Sequence, residues 1–456
     1  MMRRVAGFIF VVLSYLLYLN VSPVKSHCDI DSKAYLERAE LFYKTNSFAR
    51  EGESSPPYFT LGYPLLIGLI FKVCGPSKDA IVLVQVLIAL LIGLLLFSIA
   101  QRLFNRLVAV IVSLFFAANL GFLVFAQFIL TELFLVFFLT LFFERFTSFL
   151  ISQKRSSLAA AGLALGLSVL IKPAALYFPL MLLPLLWYVV YGSARKKLSM
   201  IVLLCVSFFL PIVGHCVHNK IVFGSYSLGS LDQINIYFWF FPHVLAQQYG
   251  TNSDIERERL FRLNDKDPFF TSVKTLFKQE LMNKPVLFVF VWLKNVFKTC
   301  VGLYTTNLKV LVDPNVHGGD ISFFRLQGTV WQKINRYIVA GTSLLWVKVV
   351  GYLETCWSLM RYVLCLIGLL GLWGMRRYAE FYLFSSYLFY FAMITGHDGC
   401  ARFRMLFEFI LIILAAYGLW LILGRITLGT IGKGICHEKF YHIFTHTQSC
   451  AHDGLC

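Results

Sequence analysis

Two closely spaced pairs of charged residues are the candidates for chemistry in this sequence. Asp29 and Asp31 (DID) are carboxylates one residue apart, which could supply a general base or ligands for a divalent metal ion. Arg402 and Arg404 (RFR) are guanidiniums at the same spacing, and arginine is preferentially used to bind phosphate in a bidentate manner. The first pair predicts a catalytic or metal-binding site, and the second predicts a clamp for an anionic headgroup.

Each pair also has a plainer interpretation. Asp31 fits the N-cap of an amphipathic stretch, residues 32–43, in which Tyr35, Ala39 and Phe42 share one face. Arginines beside a bilayer also extend towards ordinary lipid phosphates. The residues alone leave both alternatives open.

Two further charged residues lie at the ends of apolar segments. Lys172 closes the segment GLALGLSVLIKP, where an ammonium could neutralise the same anion or cap the last carbonyls of a helix. Glu132 opens an apolar segment, where a buried acid is tolerated if it faces a partner cation or a water-filled cavity. Alternatively, Glu132 is simply a favourable charge at a helix N-terminus.

Composition indicates that these residues belong to a membrane protein. The 456 residues are 58% hydrophobic and 14% charged, against roughly 25% charged in soluble domains. The net charge of +17 comes from short basic clusters between apolar runs, which indicates membrane topology rather than nucleic-acid binding. The eleven cysteines contain no CxxC pair and indicate no disulfide framework.

Apolar runs of about twenty residues predict an all-α polytopic bundle of about ten transmembrane helices. The first has the features of an uncleaved signal-anchor. Adding 285–303 and 337–353 as a further spanning pair would give twelve. The ten predicted spans are 5–22, 80–100, 107–125, 130–150, 157–172, 174–192, 198–216, 355–374, 379–396 and 405–424.

The distribution of basic residues predicts the orientation. With the N-terminus inside, the short outer connections contain only Lys172, Arg402 and Arg404, which therefore invite a functional explanation on the non-cytoplasmic face. The inner connections contain fourteen basic residues: Arg3, Arg4, Arg102, Arg106, Lys154, Arg155, Arg195, Lys196, Lys197, Arg376, Arg377, Arg425, Lys433 and Lys439.

The chain divides into four regions on this topology. They are an N-terminal transmembrane core (1–216) with a first extracytoplasmic loop (23–79), an extracytoplasmic or interfacial segment (217–354), C-terminal transmembrane helices (355–424) and a cytoplasmic tail (425–456). Within the first loop, Gly62–Cys74 is apolar but too short to span, which predicts a re-entrant or interfacial helix. The tail is rich in cysteine and histidine, but no zinc-finger spacing is present, so a disordered tail and a structural metal site are the alternatives.

The order of these features resembles the GT-C superfamily of membrane glycosyltransferases, specifically the branch of dolichyl-phosphate-mannose protein mannosyltransferases and the lipid A aminoarabinose transferase. The resemblance covers residues 1–215 and, less closely, 380–424. It is carried by Asp31-Ser32 with Tyr35 and Ala39, Gly62-Tyr63-Pro64, Thr131-Glu132, Gly162-Leu163-Ala164 with Gly166-Leu167 and Lys172-Pro173, and Arg402-Phe403-Arg404.

The resemblance implies inverting transfer of a sugar from a polyprenyl-phosphate carrier at the non-cytoplasmic face. Asp31 would be the general base, with Arg402, Arg404 and Lys172 on the donor phosphate and Tyr35, Tyr63 and Glu132 supporting the site. The acceptor would be a lipid, a glycan or a protein. No cofactor is firmly implied, although a divalent metal is compatible with the carboxylates. The membrane would be a bacterial inner membrane, or the endoplasmic reticulum in a eukaryote.

Two departures from the family pattern affect the site. Ser32 stands where related sequences often have a second acid, so Asp29 is a possible substitute and the division of roles between Asp29 and Asp31 is open. Phe407-Glu408 stands where a proline often follows the arginine pair. A lipid or sugar-lipid flippase and a noncatalytic membrane scaffold are the rival functions, and the lack of a convincing inverted repeat weighs against transport.

Overall fold

The computed structural model describes residues 28, 30–53, 55–264, 267, 270–312, 326, 328–340, 342 and 344–430, with side chains for all of these except 30 and 425–430. Within this part of the chain the fold is built from helices. The N-terminal helices are α1 (Ile30–Thr45), α2 (Gly62–Cys74), α3 (Lys78–Leu103), α4 (Arg106–Ala117), α5 (Leu120–Phe125), α6 (Glu132–Ser152), α7 (Arg155–Ile171), α8 (Pro179–Val189) and α9 (Ala194–Phe223).

The C-terminal half begins with a helical outer segment and ends with three long helices. Its helices are α10 (Leu231–Ile234), α11 (Phe241–Tyr249), α12 (Ser253–Leu263), α13 (Thr271–Asn283), α14 (Pro285–Val301), α15 (Thr305–Val312), α16 (Val330–Val339), α17 (Leu345–Gly374), α18 (Tyr378–Ile394) and α19 (Met405–Thr430). A π-helical stretch, Asn235–Phe240, joins α10 to α11, and short 3₁₀ turns occupy Pro173–Ala175, Thr395–His397 and Ala401–Arg404.

The helices confirm a polytopic membrane bundle, although fewer of them reach full spanning length than predicted. Among the described residues, five helices are long and apolar enough to cross a membrane, and a sixth span results if α14 and α15, bent by 65° at their junction, form one unit. Four predicted spans correspond to shorter helices: α4 with α5, α7, α8 and α18. The predicted span 5–22 and the tail beyond residue 430 lie outside the described residues.

The proposed extra pair, 285–303 and 337–353, does not occur as two separate spans. The first is α14, which breaks at Gly302 before bending into α15. In the second, residues 337–339 end α16, whereas residues 345–353 begin α17, which continues through Glu354 into the predicted span 355–374. A single charged residue lowers the local hydropathy but does not break a helix, so hydropathy alone placed the boundary wrongly.

Small residues let the long helices approach closely. On α7, Gly162 and Gly166 face the backbone of α9, and a Cβ at Gly166 would overlap the Phe208 carbonyl oxygen. On α17 and α19, Gly368 and Gly418 meet in the same way. Contacts between small residues are how membrane helices pack when lipid is as apolar as the helix surface. They join α7 to α9 and α17 to α19 as parallel pairs.

The outer segment has its own aromatic core. Phe238, Phe241, Val244, Leu260 and Phe288 are buried together where the π-helical stretch, α11, α12 and α14 meet. From this core, α14 packs against the turn Thr395–His397 between α18 and α19. The outer segment is therefore attached directly to the turn that precedes the last helix.

Candidate active site

Four charged side chains from separate parts of the sequence meet at one end of the bundle. Arg402 donates from Nη1 to Oδ2 of Asp31 at 2.9 Å and from Nε to Oε1 of Glu132 at 2.6 Å. Nζ of Lys172 lies 3.6 Å from the same Glu132 oxygen. We call these four residues the charged quartet. They are the predicted base, the acid at the start of an apolar segment and two of the three outer cations that the sequence analysis singled out.

The helical hairpin α6–α7 explains how two members of the quartet come together. Glu132 is the first residue of α6 and Lys172 directly follows the last residue of α7. The two helices run antiparallel, and only Gln153 and Lys154 separate them, with Gln153 in the left-handed conformation at φ 53°. The start of one helix and the end of the other therefore lie at the same end of the bundle.

The other two members come from the first helix and the last turn. Asp31 lies in the first turn of α1, one residue inside the helix rather than at the N-cap, and the predicted amphipathic face is present, with Tyr35 and Ala39 buried. Arg402 belongs to the 3₁₀ turn Ala401–Arg404 that leads into α19. The quartet thus joins α1, α6, α7 and α19.

Exposure differs sharply among the four side chains. Glu132 is 2% exposed, Lys172 12%, Arg402 15% and Asp31 38%. Glu132 is thus enclosed between two cations, whereas the Asp31 carboxylate is open to a substrate. Within the described part of the chain, Arg402 Nη2 makes no hydrogen bond and Lys172 is held only by the long contact to Glu132 and by the Phe403 ring. These donors are available to an anion.

The ring of Tyr35, one helical turn after Asp31, lies beside the Asp31 carboxylate. Its ring packs edge-on against Tyr63 at 5.2 Å between centroids. Burial and the neighbouring Asp31 carboxylate raise the pKa of Tyr35 well above its ordinary value, so the phenol stays neutral. Tyr35 can therefore give Asp31 an apolar and hydrogen-bonding surface without adding charge.

Tyr63, which packs behind Tyr35, has a structural role. Its hydroxyl donates to Oε1 of Gln85 at 2.9 Å, and Nε2 of Gln85 donates to the carbonyls of Ala126 and Phe128 at 2.9 and 2.8 Å. These bonds fix the irregular segment that leads into Glu132. The sequence singled out Tyr63 but gave no indication of Gln85, which links it to the start of α6.

Arg404, the second arginine of the predicted clamp, does not join the quartet. It is 1% exposed, and Nη1 donates to the carbonyls of Cys300 and Gly302 at 3.0 and 2.6 Å. A 3₁₀ turn has three residues per turn, so side chains at i and i+2 point about 120° apart rather than side by side. Arg402 therefore faces Asp31 while Arg404 faces the bend between α14 and α15.

The bend leaves backbone groups that side chains satisfy. Arg404 takes the free carbonyls on one side, and Glu354 accepts from the backbone N–H groups of Tyr304 and Thr305 at 2.7 and 2.8 Å on the other. Irregular backbone at membrane depth requires such internal partners. Arg404 and Glu354, together with the Tyr362 hydroxyl that donates to the Cys300 carbonyl at 2.6 Å, thus hold the broken helix.

Glu408 completes a second buried ionic cluster. Its carboxylate accepts from Arg404 Nε at 3.0 Å, the Tyr304 hydroxyl at 3.1 Å and Asn119 Nδ2 at 2.6 Å, and it also pairs with Arg361. Neither Arg361 nor Glu408 was predicted as a site residue, although both stand inside predicted spans. Ionisable residues in such positions are rare and usually paired, which was the available indication.

The turn between α18 and α19 is held by a third set of polar contacts, which the sequence did not reveal. Trp292 Nε1 donates to the Met393 carbonyl at 2.8 Å and Asn295 Nδ2 donates to the Gly396 carbonyl at 3.1 Å. His243 Nε2 lies 3.6 Å from Oδ1 of Asp398. Burial opposes ionisation of Asp398, but the adjacent histidines lower its pKa to about 2. The outer segment therefore holds the turn that carries Arg402.

No group of three or more histidine, cysteine, aspartate or glutamate side chains suited to a metal ion occurs among the described residues. Asp29 and the cysteine- and histidine-rich tail lie outside them, so the predicted Asp29–Asp31 pairing and the alternatives for the tail stay predictions.

Comparison with known proteins places this arrangement in a structural context. Residues 56–217, less than half of the chain, match the family "Dolichyl-phosphate-mannose-protein mannosyltransferase". No curated protein matches the sequence.

Solved structures match over almost the whole chain. The oligosaccharyltransferase AglB of Archaeoglobus fulgidus, in complex with an inhibitory peptide and a dolichol-phosphate, aligns with a TM-score of 0.52 and 13% identity over 99% of this chain and 55% of its own. The apo form of the oligosaccharyltransferase of the same organism gives 0.51 and 14% identity over 98% and 54%. ArnT of Cupriavidus metallidurans bound to undecaprenyl phosphate gives 0.39 and 13% identity over 90% and 76%.

The present chain spans about half the length of the oligosaccharyltransferase chains it matches. Identities of 13–14% relate folds rather than activities. Together with the match to the mannosyltransferase family and the bundle of apolar helices, they identify the architecture. The chain is a polytopic membrane protein with the fold of the GT-C superfamily of membrane glycosyltransferases.

Proposed function

We propose that this protein is an inverting glycosyltransferase that takes a sugar from a polyprenyl-phosphate carrier and passes it to an acceptor hydroxyl on the non-cytoplasmic face. The observation that carries the proposal is the charged quartet, in which an accessible carboxylate, Asp31, lies beside two cations with free donors, Arg402 and Lys172. Such a transfer needs a base for the nucleophile and positive charge for the departing phosphate.

Asp31 is the proposed general base. It accepts the proton of the acceptor hydroxyl, whose oxygen then forms a bond to the anomeric carbon of the sugar from the side opposite the phosphate. The bond between that carbon and the phosphate oxygen breaks, and its electron pair stays on the phosphate. Attack from the opposite side inverts the anomeric configuration.

Arg402 and Lys172 are the proposed phosphate ligands. The free Nη2 of Arg402 and the loosely held ammonium of Lys172 can bind phosphate oxygens. Arg402 Nη1 is bonded to Asp31, so a phosphate that draws the guanidinium away would leave Asp31 free to act as a base. Donor binding and activation of the base would thus be coupled through one arginine.

Glu132 and Arg404 are proposed positioning residues rather than ligands. Glu132 is buried between the two cations and sets their separation. Arg404 takes no part in the phosphate clamp in this proposal, because it is sealed against the bend between α14 and α15 and holds the turn on which Arg402 stands. This replaces the clamp of two arginines with a clamp of one arginine and one lysine.

The membrane location of the quartet supports a lipid-linked donor. The quartet lies where apolar helices end, so a polyprenyl tail could lie in the bilayer while its phosphate reaches Arg402. A protein of similar fold has been solved with dolichol-phosphate. The positive-inside distribution of basic residues favours the non-cytoplasmic face for this end. The acceptor, whether lipid, glycan or protein, would approach beneath the outer segment.

A transfer assay tests the proposal. Protein purified into lipid nanodiscs is incubated with a panel of polyprenyl-phosphate sugars, and release of polyprenyl phosphate and the configuration of the product are measured. We expect release with at least one donor, inverted product and loss of both in Asp31→Asn. A protein that moves lipid-linked sugar across a vesicle membrane equally well with Asp31→Asn, and never cleaves it, would instead be a flippase.

A further inference from the structure

A half-buried histidine close to the proposed phosphate ligands has no role in the scheme above. His397 ends the 3₁₀ turn Thr395–His397, and its ring packs on Phe403 at 4.7 Å between centroids. The ammonium of Lys172 lies 4.6 Å from the centre of the same Phe403 ring. Cζ of Arg402 lies 5.9 Å from the centre of this ring as well. His397 therefore shares one aromatic side chain with both proposed phosphate ligands.

The hydrogen bonding of His397 determines which ring nitrogen is available. Nδ1 lies 3.1 Å from the carbonyl oxygen of Ile394, which can only accept, so Nδ1 carries a hydrogen and donates. In the neutral ring Nε2 then holds the lone pair and can take up a proton. Among the described residues no hydrogen-bond partner of Nε2 occurs. One nitrogen is anchored to the backbone and the other is free.

The charges around His397 keep it neutral while the site is empty. Burial lowers its pKa, and the positive charges of Lys172 and Arg402 lower it further, whereas Asp398 and the Ile394 carbonyl act in the opposite direction. A phosphate bound between Lys172 and Arg402 would offset their charges and add a negative one. The same histidine would then favour the protonated form.

We propose that His397 is a third, proton-dependent ligand of the lipid phosphate, taking up a proton at Nε2 when the phosphate binds beside Lys172 and Arg402. This inference rests on the proposed function, since it concerns the same phosphate. Cleavage of the sugar–phosphate bond turns a diester with one negative charge into a monoester with up to two. An imidazolium at this position stabilises the added negative charge. Arg402 and Lys172 stabilise it less well on their own, because their charges are already shared with Asp31 and Glu132.

The test measures binding rather than turnover, so that it is independent of sugar transfer. The probe is the methyl diester of a polyprenyl phosphate, whose single charge does not titrate near neutral pH, and its Kd is measured on protein in nanodiscs between pH 8 and 6. Because protonation favours the bound state, affinity rises as pH falls. One coupled proton allows at most about tenfold per pH unit, and we expect a 3- to 10-fold gain over the range.

Two substitutions separate the roles of the ring. In His397→Asn the amide keeps the bond to Ile394 and removes Nε2, and in His397→Gln a neutral donor replaces Nε2. Both are expected to bind the diester with an affinity that does not change with pH. His218→Gln, near the end of α9, is the control, because its ring packs on Phe48 and not on the turn that carries Arg402, and it is expected to keep the wild-type dependence.

Three outcomes would overturn the proposal: a wild-type affinity that does not change with pH, a dependence that survives in both His397 variants, or its loss in His218→Gln. Transfer with a wild-type pH profile in both His397 variants would refute the role of His397 and leave the glycosyltransferase assignment intact. A His397-dependent binding slope in a protein that transfers no sugar would do the reverse.

Discussion

Nε of Arg402 donates to Oε1 of Glu132 over 2.6 Å, although 270 residues separate the two along the chain. The bond fixes the turn before the last helix to the first residue of α6 in the middle of a cluster whose charges sum to zero. Ionised side chains at membrane depth are costly unless they are paired. Each member of the quartet consequently lowers the energetic cost of the other charges. Their individual roles have to be separated by experiment.

Glu132→Gln should lower the thermal stability of the purified protein, because Arg402 and Lys172 would then repel one another without a shared carboxylate. Removing one partner of a buried ion pair costs on the order of 3–5 kcal/mol. Polyprenyl phosphate should restore stability, since it supplies the missing negative charge. The temperature of unfolding, measured with and without this lipid, should therefore shift more in the variant than in the wild type.

Glu37→Gln is the matched control for Glu132→Gln, because Glu37 forms an exposed pair with Arg50. It should change neither the unfolding temperature nor the lipid-induced shift. A Glu132→Gln protein as stable as the wild type, or one that gains less from the lipid, would contradict the view that Glu132 holds the two cations.

Asp31→Asn should stop turnover and leave donor binding intact. Loss of a general base lowers kcat by about 10²- to 10⁴-fold. Binding should not weaken, because the substitution removes the carboxylate that competes with the phosphate for Arg402 Nη1. Single-turnover transfer and equilibrium donor binding are measured on the same preparation. Asp79→Asn, at the start of α3, serves as the control and should behave as the wild type. Equal losses of binding and turnover in Asp31→Asn would rule out its role as base.

Arg402→Lys and Arg404→Lys should differ in kind, although the two arginines are only two residues apart. Arg402→Lys should weaken binding of the donor by about 10- to 100-fold, as expected for the loss of a charged hydrogen bond of roughly 1.5–3 kcal/mol. Arg404→Lys should lower the unfolding temperature instead, because an ammonium cannot serve the Cys300 and Gly302 carbonyls and Glu408 together. Its folded fraction should bind donor within about threefold of the wild type. Similar losses of donor binding in both variants would instead support a phosphate clamp formed by both arginines.

The sequence predicted the helices well wherever composition alone determines them. α2 has the predicted bounds, Gly62–Cys74, and α3 and α6 begin within two residues of prediction. Apolar run length is a local property, and it decides whether a segment is helical in a membrane. The grouping of Asp31, Glu132, Lys172 and Arg402 at one end was also predictable, because topology alone sends the ends of spans to one side or the other.

What could not be predicted depends on contacts between distant residues. No local sequence pattern predicts the 65° bend at Gly302 or the hydrogen bonds by which Arg404 and Glu354 satisfy its backbone groups, because these partners come from different helices. The separation of Arg402 from Arg404 depends on the chain forming a 3₁₀ turn there, whereas an extended segment would have put both side chains on one face. Periodicity reports which face is apolar but not which charges meet.

Gly166→Ala and Gly214→Ala provide a test of helix packing in which the same substitution should have opposite effects. A Cβ at Gly166 would overlap the Phe208 carbonyl oxygen of α9, so the α7–α9 pair must separate, at a cost of about 1–3 kcal/mol. Gly214 lies on α9, and a Cβ added there would meet no neighbouring side chain or backbone within 4 Å. Alanine at this position should therefore be neutral or stabilise the helix by up to about 1 kcal/mol.

Lys172 follows the last residue of α7, so a shift of this helix should also reach the quartet. Gly166→Ala is therefore expected to lower both the unfolding temperature and the affinity for polyprenyl phosphate, while Gly214→Ala leaves the affinity unchanged. Both are measured on protein in nanodiscs by thermal unfolding and lipid titration. If Gly166→Ala lowers stability but retains full affinity, the position of Lys172 does not depend on the α7–α9 contact, and Glu132 and the Phe403 ring must hold the lysine in place.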